Sequence, residues 1–365
     1  MTNRVKLGWS DFFDGEWQKL KMDLPRCVPA RVVAEQRGMY SVSAECGELL
    51  GETAGRLRHR AERRADLPAV GDWVALEARP DEGRGTIHAV LPRRGCFARK
   101  EAGRRTDEQV IAANVDTVFV VTSLNQDLNA RRVERYLAQV WESGAAPVVV
   151  LNKADLCDAA LAETLAAEME GAAIGVAVLR VSAVTGAGFD QFTPFLQAGQ
   201  TIALLGSSGV GKSTIINRLL ARDAQPVREI RESDDRGRHA TTARQLFALP
   251  GGALMIDTPG MRELQLWGEG AGLDHAFREI NELARSCRFP DCAHHAEPGC
   301  AIQAALADDT LEAERLESWR KLQRELAFLE RKRDAGLQSA EREKWKQIHR
   351  EMRRTYKERD KPSRG

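Results

Sequence analysis

The sequence predicts a multidomain fold: a small antiparallel β-barrel, then a parallel α/β domain, then a helical, metal-binding segment. Three observations carry this. Between Val28 and Phe97, short β-prone stretches of alternating character are separated by Gly, Pro and charged turns, the pattern of a small barrel. From about Asp107, apolar strands alternate with amphipathic helices, as in a parallel α/β domain. After Trp267 the chain turns helical and charged around a cluster of cysteines.

In chain order, barrel strands are expected at 29–34, 39–43, 72–76 and 85–90. The arginine-rich stretch 57–64 lies between them. It reads either as a solvated loop or, on a barrel of the oligonucleotide-binding (OB) type, as a place for a phosphate backbone. The α/β strands are expected at 117–122, 147–151, 176–181, 201–205 and 253–256, with helices near 132–143, near 159–169 and from Lys212. The corresponding domain boundaries are 1–105 for an N-terminal extension and barrel, 106–268 for the α/β domain, and 269–365 for the helical domain and its tail.

Apolar residues make up 43% of the 365 and charged residues 29%, with a formal net charge of +1. That balance excludes a chain that coats nucleic acid by bulk charge alone and leaves room for a local basic region. No signal-peptide pattern and no bilayer-length apolar run is present, so the expected compartment is the cytoplasm, with no membrane partner. Seven cysteines, three of them within fourteen residues, fit metal binding in a reducing compartment better than a disulfide framework.

The α/β domain carries two nucleotide motifs in transposed order. Asn152, Lys153, Ala154 and Asp155 form a guanine-reading Asn-Lys-x-Asp, and it precedes the phosphate loop (P-loop) Gly206-Ser207-Ser208-Gly209-Val210-Gly211-Lys212-Ser213. Ordinary GTPases place the P-loop first. Both motifs intact but exchanged indicate a circularly permuted P-loop GTPase domain, a rearrangement that a fold with adjacent termini survives. The P-loop follows a strand and opens a helix, so its amides and the helix dipole can hold phosphate oxygens. Lys212 can reach the β- and γ-phosphates, and the Ser213 hydroxyl can ligate Mg²⁺, with Thr214 beside it. Asp257, in Asp257-Thr258-Pro259-Gly260, is expected to hold Mg²⁺ through water, and Gly260 to offer its amide to the γ-phosphate. Asn152 and Asp155 supply the amide and carboxylate that read guanine edges. Ser182 and Ala183 fit the short loop whose amide meets the guanine oxygen.

Between the P-loop and Asp257 lies Arg236-Gly-Arg-His239-Ala240-Thr241-Thr242. A threonine there is expected to close over Mg²⁺ and the γ-phosphate; Thr241 is the first choice and Thr242 the alternative. Met261 stands where many GTPases carry a water-orienting glutamine. Intrinsic hydrolysis is therefore expected to be slow, and His239 is a candidate for the missing catalytic polar group. The second switch also lies next in sequence to the helical domain, so γ-phosphate sensing at Gly260 is expected to reorient that domain relative to the barrel.

Cys287-x4-Cys292-x-His294-x5-Cys300 offers three thiolates and an imidazole, a complete tetrahedral set for one structural Zn²⁺ with no open position; His295 is the alternative imidazole. The tail from Arg331 to Gly365 holds 13 Lys/Arg against 6 Asp/Glu. Trp345, Ile348 and Met352 would share one helical face, which reads as a solvated or coiling helix or as an RNA-binding arm.

Together these residues resemble the ribosome small-subunit-dependent GTPase A family over nearly the whole chain. The resemblance rests on Leu7-Gly-Trp9, Gly71-Asp-Trp-Val74, the permuted motifs, Arg236-Gly-Arg-His239 and the Cys-x4-Cys-x-His-x5-Cys signature. It implies an OB-type barrel, a permuted GTPase and a helical zinc-binding domain acting together on the maturing small ribosomal subunit and its rRNA. It also implies GTP hydrolysis to GDP and phosphate stimulated by that subunit. A monomer is expected. The chain departs from the family's usual pattern at Ala240, commonly a threonine, at Thr258, commonly a serine, and in its long basic tail.

Overall fold

The structure, a computed structural model, describes residues 3–36, 38–100, 108–124, 128–221, 244–257, 270–329 and 331. Thr241, Thr242, His239, Gly260, Met261 and the basic tail beyond Arg331 lie outside the described residues.

Two helices, α1 (Asn3–Lys6) and α2 (Asp11–Lys21), precede the barrel. The barrel strands are β1 (Val28–Gln36), β2 (Met39–Ala44), β3 (Gly47–Thr53), β4 (Trp73–Arg79) and β5 (Arg84–Val90). They run β1-β2-β3-β5-β4, and β4 returns to pair with β1, closing the sheet. All the pairings are antiparallel except β3–β5. A bulge between Val32 and Ala34 lets β1 bend from one partner to the other. Ala30, Val32, Tyr40, Val42, Leu49, Val74, Leu76 and Ile87 fill the interior.

Four of the five strands match the expected stretches. β3 was not among them, and two of its seven residues, Gly47 and Gly51, are of a type that weakens a strand pattern. Gly51 is a close approach: a Cβ there would sit 3.2 Å from Ile87 Cδ1 and 3.3 Å from Val42 Cγ1. The stretch 57–64 is partly helical, lying at the end of α3 (Gly55–Arg60). Arg56, Arg58, His59 and Arg60 of that helix are exposed.

A hairpin of β6 (Cys96–Lys100) and β7 (Glu108–Ala113) leads into the α/β domain. The expected boundary at 105/106 falls inside its connection. The elements that follow are β8 (Thr117–Ser123), α4 (Ala130–Glu142), β9 (Ala146–Asn152), α5 (Ala159–Ala172), β10 (Val178–Arg180), β11 (Thr201–Leu205), α6 (Lys212–Ala221), β12 (Arg244–Ala248) and β13 (Leu254–Asp257). β10, β9, β8, β11 and β13 are parallel neighbours in that order, and β12 is antiparallel to β13. Every residue of β8 is buried, as a central strand covered on both faces requires.

β12 also pairs with β1, through Ala34↔Gln245 and Glu35↔Arg244. One hydrogen-bonded sheet therefore runs from the α/β domain into the barrel. Arg31, 1% exposed, reinforces this join. Its guanidinium donates to Gly71 O (3.3 Å), Asn114 O (3.3 Å), Thr201 Oγ1 (2.9 Å) and Leu7 O. Burial lowers its pKa to about 10, opposed by the charges of Asp116 and Asp72.

The C-terminal region holds α7 (Ala271–Ala276), α8 (Arg278–Arg285), α9 (Ala301–Ala307) and a helix over 313–329. Leu273, Phe277, Ile280, Ile302, Leu316, Trp319 and Leu322 share a core with Ala138 of α4. α4 and α7 cross so closely that a Cβ on Gly272 would lie 2.1 Å from Ala138 O.

Candidate functional site

The nucleotide motifs end strands that point the same way. Asn152 closes β9, Ser182 follows β10, Gly206 follows β11 and Asp257 closes β13. Because these strands are parallel, all four lie at the carboxyl edge of the sheet, where open α/β folds bind ligands.

The P-loop turns on residues with no room for a side chain. Gly206 adopts φ +151° and a Cβ there would lie 2.2 Å from Val121 O; Gly211 adopts φ +96° and would place one 2.2 Å from Asn152 Nδ2. Such a loop turns its amides toward a ligand. Lys212 opens α6 and folds back, its Nζ donating to Gly206 O at 2.7 Å and Ser207 O at 2.5 Å. The ammonium thus lies across the loop that would hold phosphates. Ser208, Gly209, Ser213 and Thr214 are exposed, and Val210 is buried.

Asn152 does more than read an edge. It is 2% exposed; its Nδ2 donates to Val210 O at 2.8 Å and its Oδ1 accepts from Ala183 N at 3.0 Å. One amide therefore ties the end of β9 to the P-loop and to the Ser182-Ala183 loop. Lys153 follows in the left-handed region at φ +65°, turning the chain into the short turn Ala154–Leu156, where Asp155 is exposed. Ala154 N donates to Val181 O at 3.1 Å, and Ser182 Oγ accepts from Thr185 N at 3.1 Å. The expected pair Asn152 and Asp155 thus divides: the amide holds three loops in register while the carboxylate faces outward.

Two arginines were missed at the sequence level. Arg218 of α6 donates to Ala183 O (2.7 Å) and Val184 O (2.5 Å), fastening the Ser182-Ala183 loop to the P-loop helix. Arg132 of α4 places Nη1 3.2 Å from Ser207 Oγ. Neither belongs to a motif, and only their places on helices beginning at the same sheet edge could have suggested them.

In the C-terminal region Cys287, Cys292, His294 and Cys300 bring one ligand atom each within 4.8 Å of one another. Cys287 Sγ lies 3.8 Å from Cys300 Sγ and 3.5 Å from His294 Nδ1, which is 3.6 Å from Cys300 Sγ. Two thiolates at 2.3 Å from a tetrahedral ion would be about 3.8 Å apart, so the cluster could hold a metal ion. His294, not His295, is the imidazole that joins it. Burial lowers the His294 pKa, favouring the neutral ring that a metal takes. Burial raises the Cys287 thiol, but hydrogen bonds from the backbone at Ala301 and Ile302 and from the neighbouring thiols bring it below its ordinary value. Glu297 shapes the loop, accepting from the backbone N–H groups of Ala293, His295 and Ala296.

Comparison with known proteins follows the same lines. The RsgA GTPase family model matches residues 90–267, and a model described as 50S ribosome-binding GTPase matches 201–363. The chain is 50% identical to the small ribosomal subunit biogenesis GTPase RsgA of Opitutus terrae over 345 residues, covering 92% of this chain and 93% of the relative. It is 47% identical to the protein of that name from Syntrophotalea carbinolica, covering 89% and 90%. Among solved structures it resembles YjeQ from Thermotoga maritima, at 27% identity and a TM-score of 0.62, covering 81% of this chain and 97% of that one. The fold also matches YloQ, described as a circularly permuted GTPase, at 24% identity and a TM-score of 0.61, covering 81% and 93%.

Proposed function

The chain belongs to the RsgA GTPase family, and from that premise we propose that it hydrolyses GTP in late maturation of the small ribosomal subunit, stimulated by that subunit. The observation that carries the site assignment is the Asn152 amide, which joins the guanine-reading motif to the P-loop across the permuted chain order. A fold that kept these motifs only in sequence would have no reason to keep them in contact.

In this reading Asp155 accepts from the guanine ring N–H and amine, Ala183 N lies beside the guanine oxygen, and the amides of 206–211 surround the phosphates. Lys212 moves from its loop carbonyls to the β- and γ-phosphate oxygens. Ser213 and Thr241 would hold Mg²⁺, with Asp257 behind through water; bound there, the ion would neutralise developing phosphate charge. Gly260 senses the γ-phosphate, and His239 supplies the polar group that Met261 does not. Cys287, Cys292, His294 and Cys300 would hold one structural Zn²⁺. The basic face of α3 and the basic tail grip rRNA from two sides, and the protein works as a monomer in the cytoplasm. No helix among the described residues is long and apolar enough to cross a membrane.

The deciding experiment is GTP turnover with and without purified small subunits. Strong stimulation by small subunits alone is expected, as where a partner completes a GTPase site. Turnover that is the same with small subunits, large subunits and none would leave a GTP-controlled binding module instead. His239→Ala is expected to lose the stimulated rate while keeping nucleotide affinity.

A further inference from the structure

Three arginines open α4, and they face two ways. Arg131 pairs with Glu317 at 2.6 Å, and Arg135, one turn later, with Glu325 at 2.5 and 2.8 Å, both on the helix over 313–329. Arg132 turns to the P-loop instead, with Nη1 3.2 Å from Ser207 Oγ. Lys212 Nζ meets the same residue through its carbonyl. Two cationic side chains from different helices therefore converge on the second residue of the phosphate loop.

The position of Arg132 is set by the fold. Asn129 caps α4 by accepting from Arg132 N at 2.9 Å, and the next residue, Val133, is buried in the sheet's core with Leu137. β8, which leads into α4, is the parallel neighbour of β11, which leads into the P-loop. The first turn of α4 consequently begins at the edge where the loop lies. Arg132 is half-buried, and a charge so placed acts more strongly on a nearby anion than one in open water.

We propose that Arg132 is a second phosphate cation, acting with Lys212 on the γ-phosphate end of a bound guanine nucleotide. This inference rests on the nucleotide reading above. A guanidinium presents five N–H donors as a rigid fork, so a phosphate oxygen can be met by sharing or exchanging the donors that hold its present partners. It supplies, from within the chain, charge of the kind that other GTPases take from an arginine finger. It also discriminates, because GDP brings no γ-phosphate for it to meet.

The test compares the parent with Arg132→Ala and Arg132→Lys, titrating each with fluorescent GDP and with a fluorescent non-hydrolysable GTP analogue. The alanine variant is expected to bind the analogue about tenfold more weakly, with GDP affinity within about twofold of the parent, and the lysine variant to recover much of the loss. An equal loss for both nucleotides would make Arg132 a prop for the loop, and no loss for either would remove it from the site; both outcomes overturn the proposal. Should the alanine variant unfold, Arg132→Gln gives the same comparison, keeping length and a donor but no charge. A parent that binds neither nucleotide would reject the nucleotide reading itself, a result distinct from any difference among the variants.

Discussion

The Glu134 carboxylate and the Arg315 guanidinium meet 2.7 Å apart, both almost fully buried, at the seam between α4 and the helix over 313–329. Arg315 also donates to Ala172 O and Ala276 O, each at 2.7 Å, and to Glu279 at 2.9 Å, and it lies 4.3 Å from the centre of the Phe277 ring. Ser318 Oγ donates to the other oxygen of Glu134. A buried pair satisfied so completely fixes one arrangement of its helices more than it adds net stability. It joins the helical region that carries the Cys/His cluster to the α/β domain through α4.

Arg315→Ala is expected to destabilise the protein by about 3–5 kcal/mol, since it strands a buried carboxylate. Glu134→Ala leaves the guanidinium with Glu279 and two carbonyls, so it should cost less, and the double variant should lose less than the sum of the two. Chemical denaturation monitored by tryptophan fluorescence measures this. Additive losses would mean that the two groups act independently and that the seam is held by its apolar core alone.

Asn152→Ala removes two buried hydrogen bonds that keep three loops in register. Affinity for GTP and GDP is expected to fall together by about tenfold or more, because the base end of the site is loosened for both. Asp155→Asn differs: exchanging an acceptor for a donor opposite the guanine amine moves preference toward xanthine nucleotides. Equal GTP binding by Asp155→Asn and parent would remove the guanine assignment.

These residues also mark what the sequence could and could not convey. That Asn152, Gly206, Gly211 and Lys212 would meet at one sheet edge was legible, because motifs with fixed residue types at fixed spacing end parallel strands. The Cys/His cluster, which could hold a metal ion, was legible from residue types at fixed spacing too, and the imidazole preference for His294 over His295 came from spacing alone. β3 was not legible, because Gly51 marks a crowded barrel interior with the same letter that marks a turn. The continuous sheet across β1 and β12 was hidden too, since its pairing joins residues about two hundred apart. Arg31, Arg218, Arg132 and Arg315 belong to no motif; only the folded chain shows which carbonyls, hydroxyls and carboxylates they reach.

One metal ion per chain is expected by elemental analysis, and Cys287→Ser or Cys300→Ser should destabilise the C-terminal helices, because forming such a site contributes directly to folding. Folded C-terminal helices in protein free of stoichiometric metal would count against this.

Glu297 offers a finer probe of the same loop. Hydrogen bonds from its own backbone N–H first, and then from those of His295, Ala293 and Ala296, hold the carboxylate pKa down to about 2 from an ordinary 4.5. With the folded value depressed, its stabilising effect is present above the ordinary pKa and is lost as pH falls from there toward about 2. Glu297→Gln is therefore expected to release metal to a chelator faster, and by a constant ratio between neutrality and about pH 5. A ratio that collapsed within that range would assign the effect to another titrating group.

Two routes could carry nucleotide state from the P-loop to the C-terminal helices. The sequence suggested a covalent route, from Gly260 straight into the helical domain. The fold adds a packed route, in which α4 touches the P-loop through Arg132 and grips the helix over 313–329 through Arg131, Glu134 and Arg135. Small subunits are expected to bind the GTP-analogue form more tightly than the GDP form, and by linkage to favour GTP binding in return. A tenfold preference needs only about 1.4 kcal/mol of coupling. The pairs at Arg131 and Arg135 are partly solvated, so losing them has little effect on folding. The double variant Arg131→Ala, Arg135→Ala should therefore keep its fold and nucleotide affinities while narrowing the difference in subunit binding between the two forms. If that difference stays at the parent's value across a range of salt concentrations, α4 is no lever, and the covalent route from Gly260 must carry the signal alone.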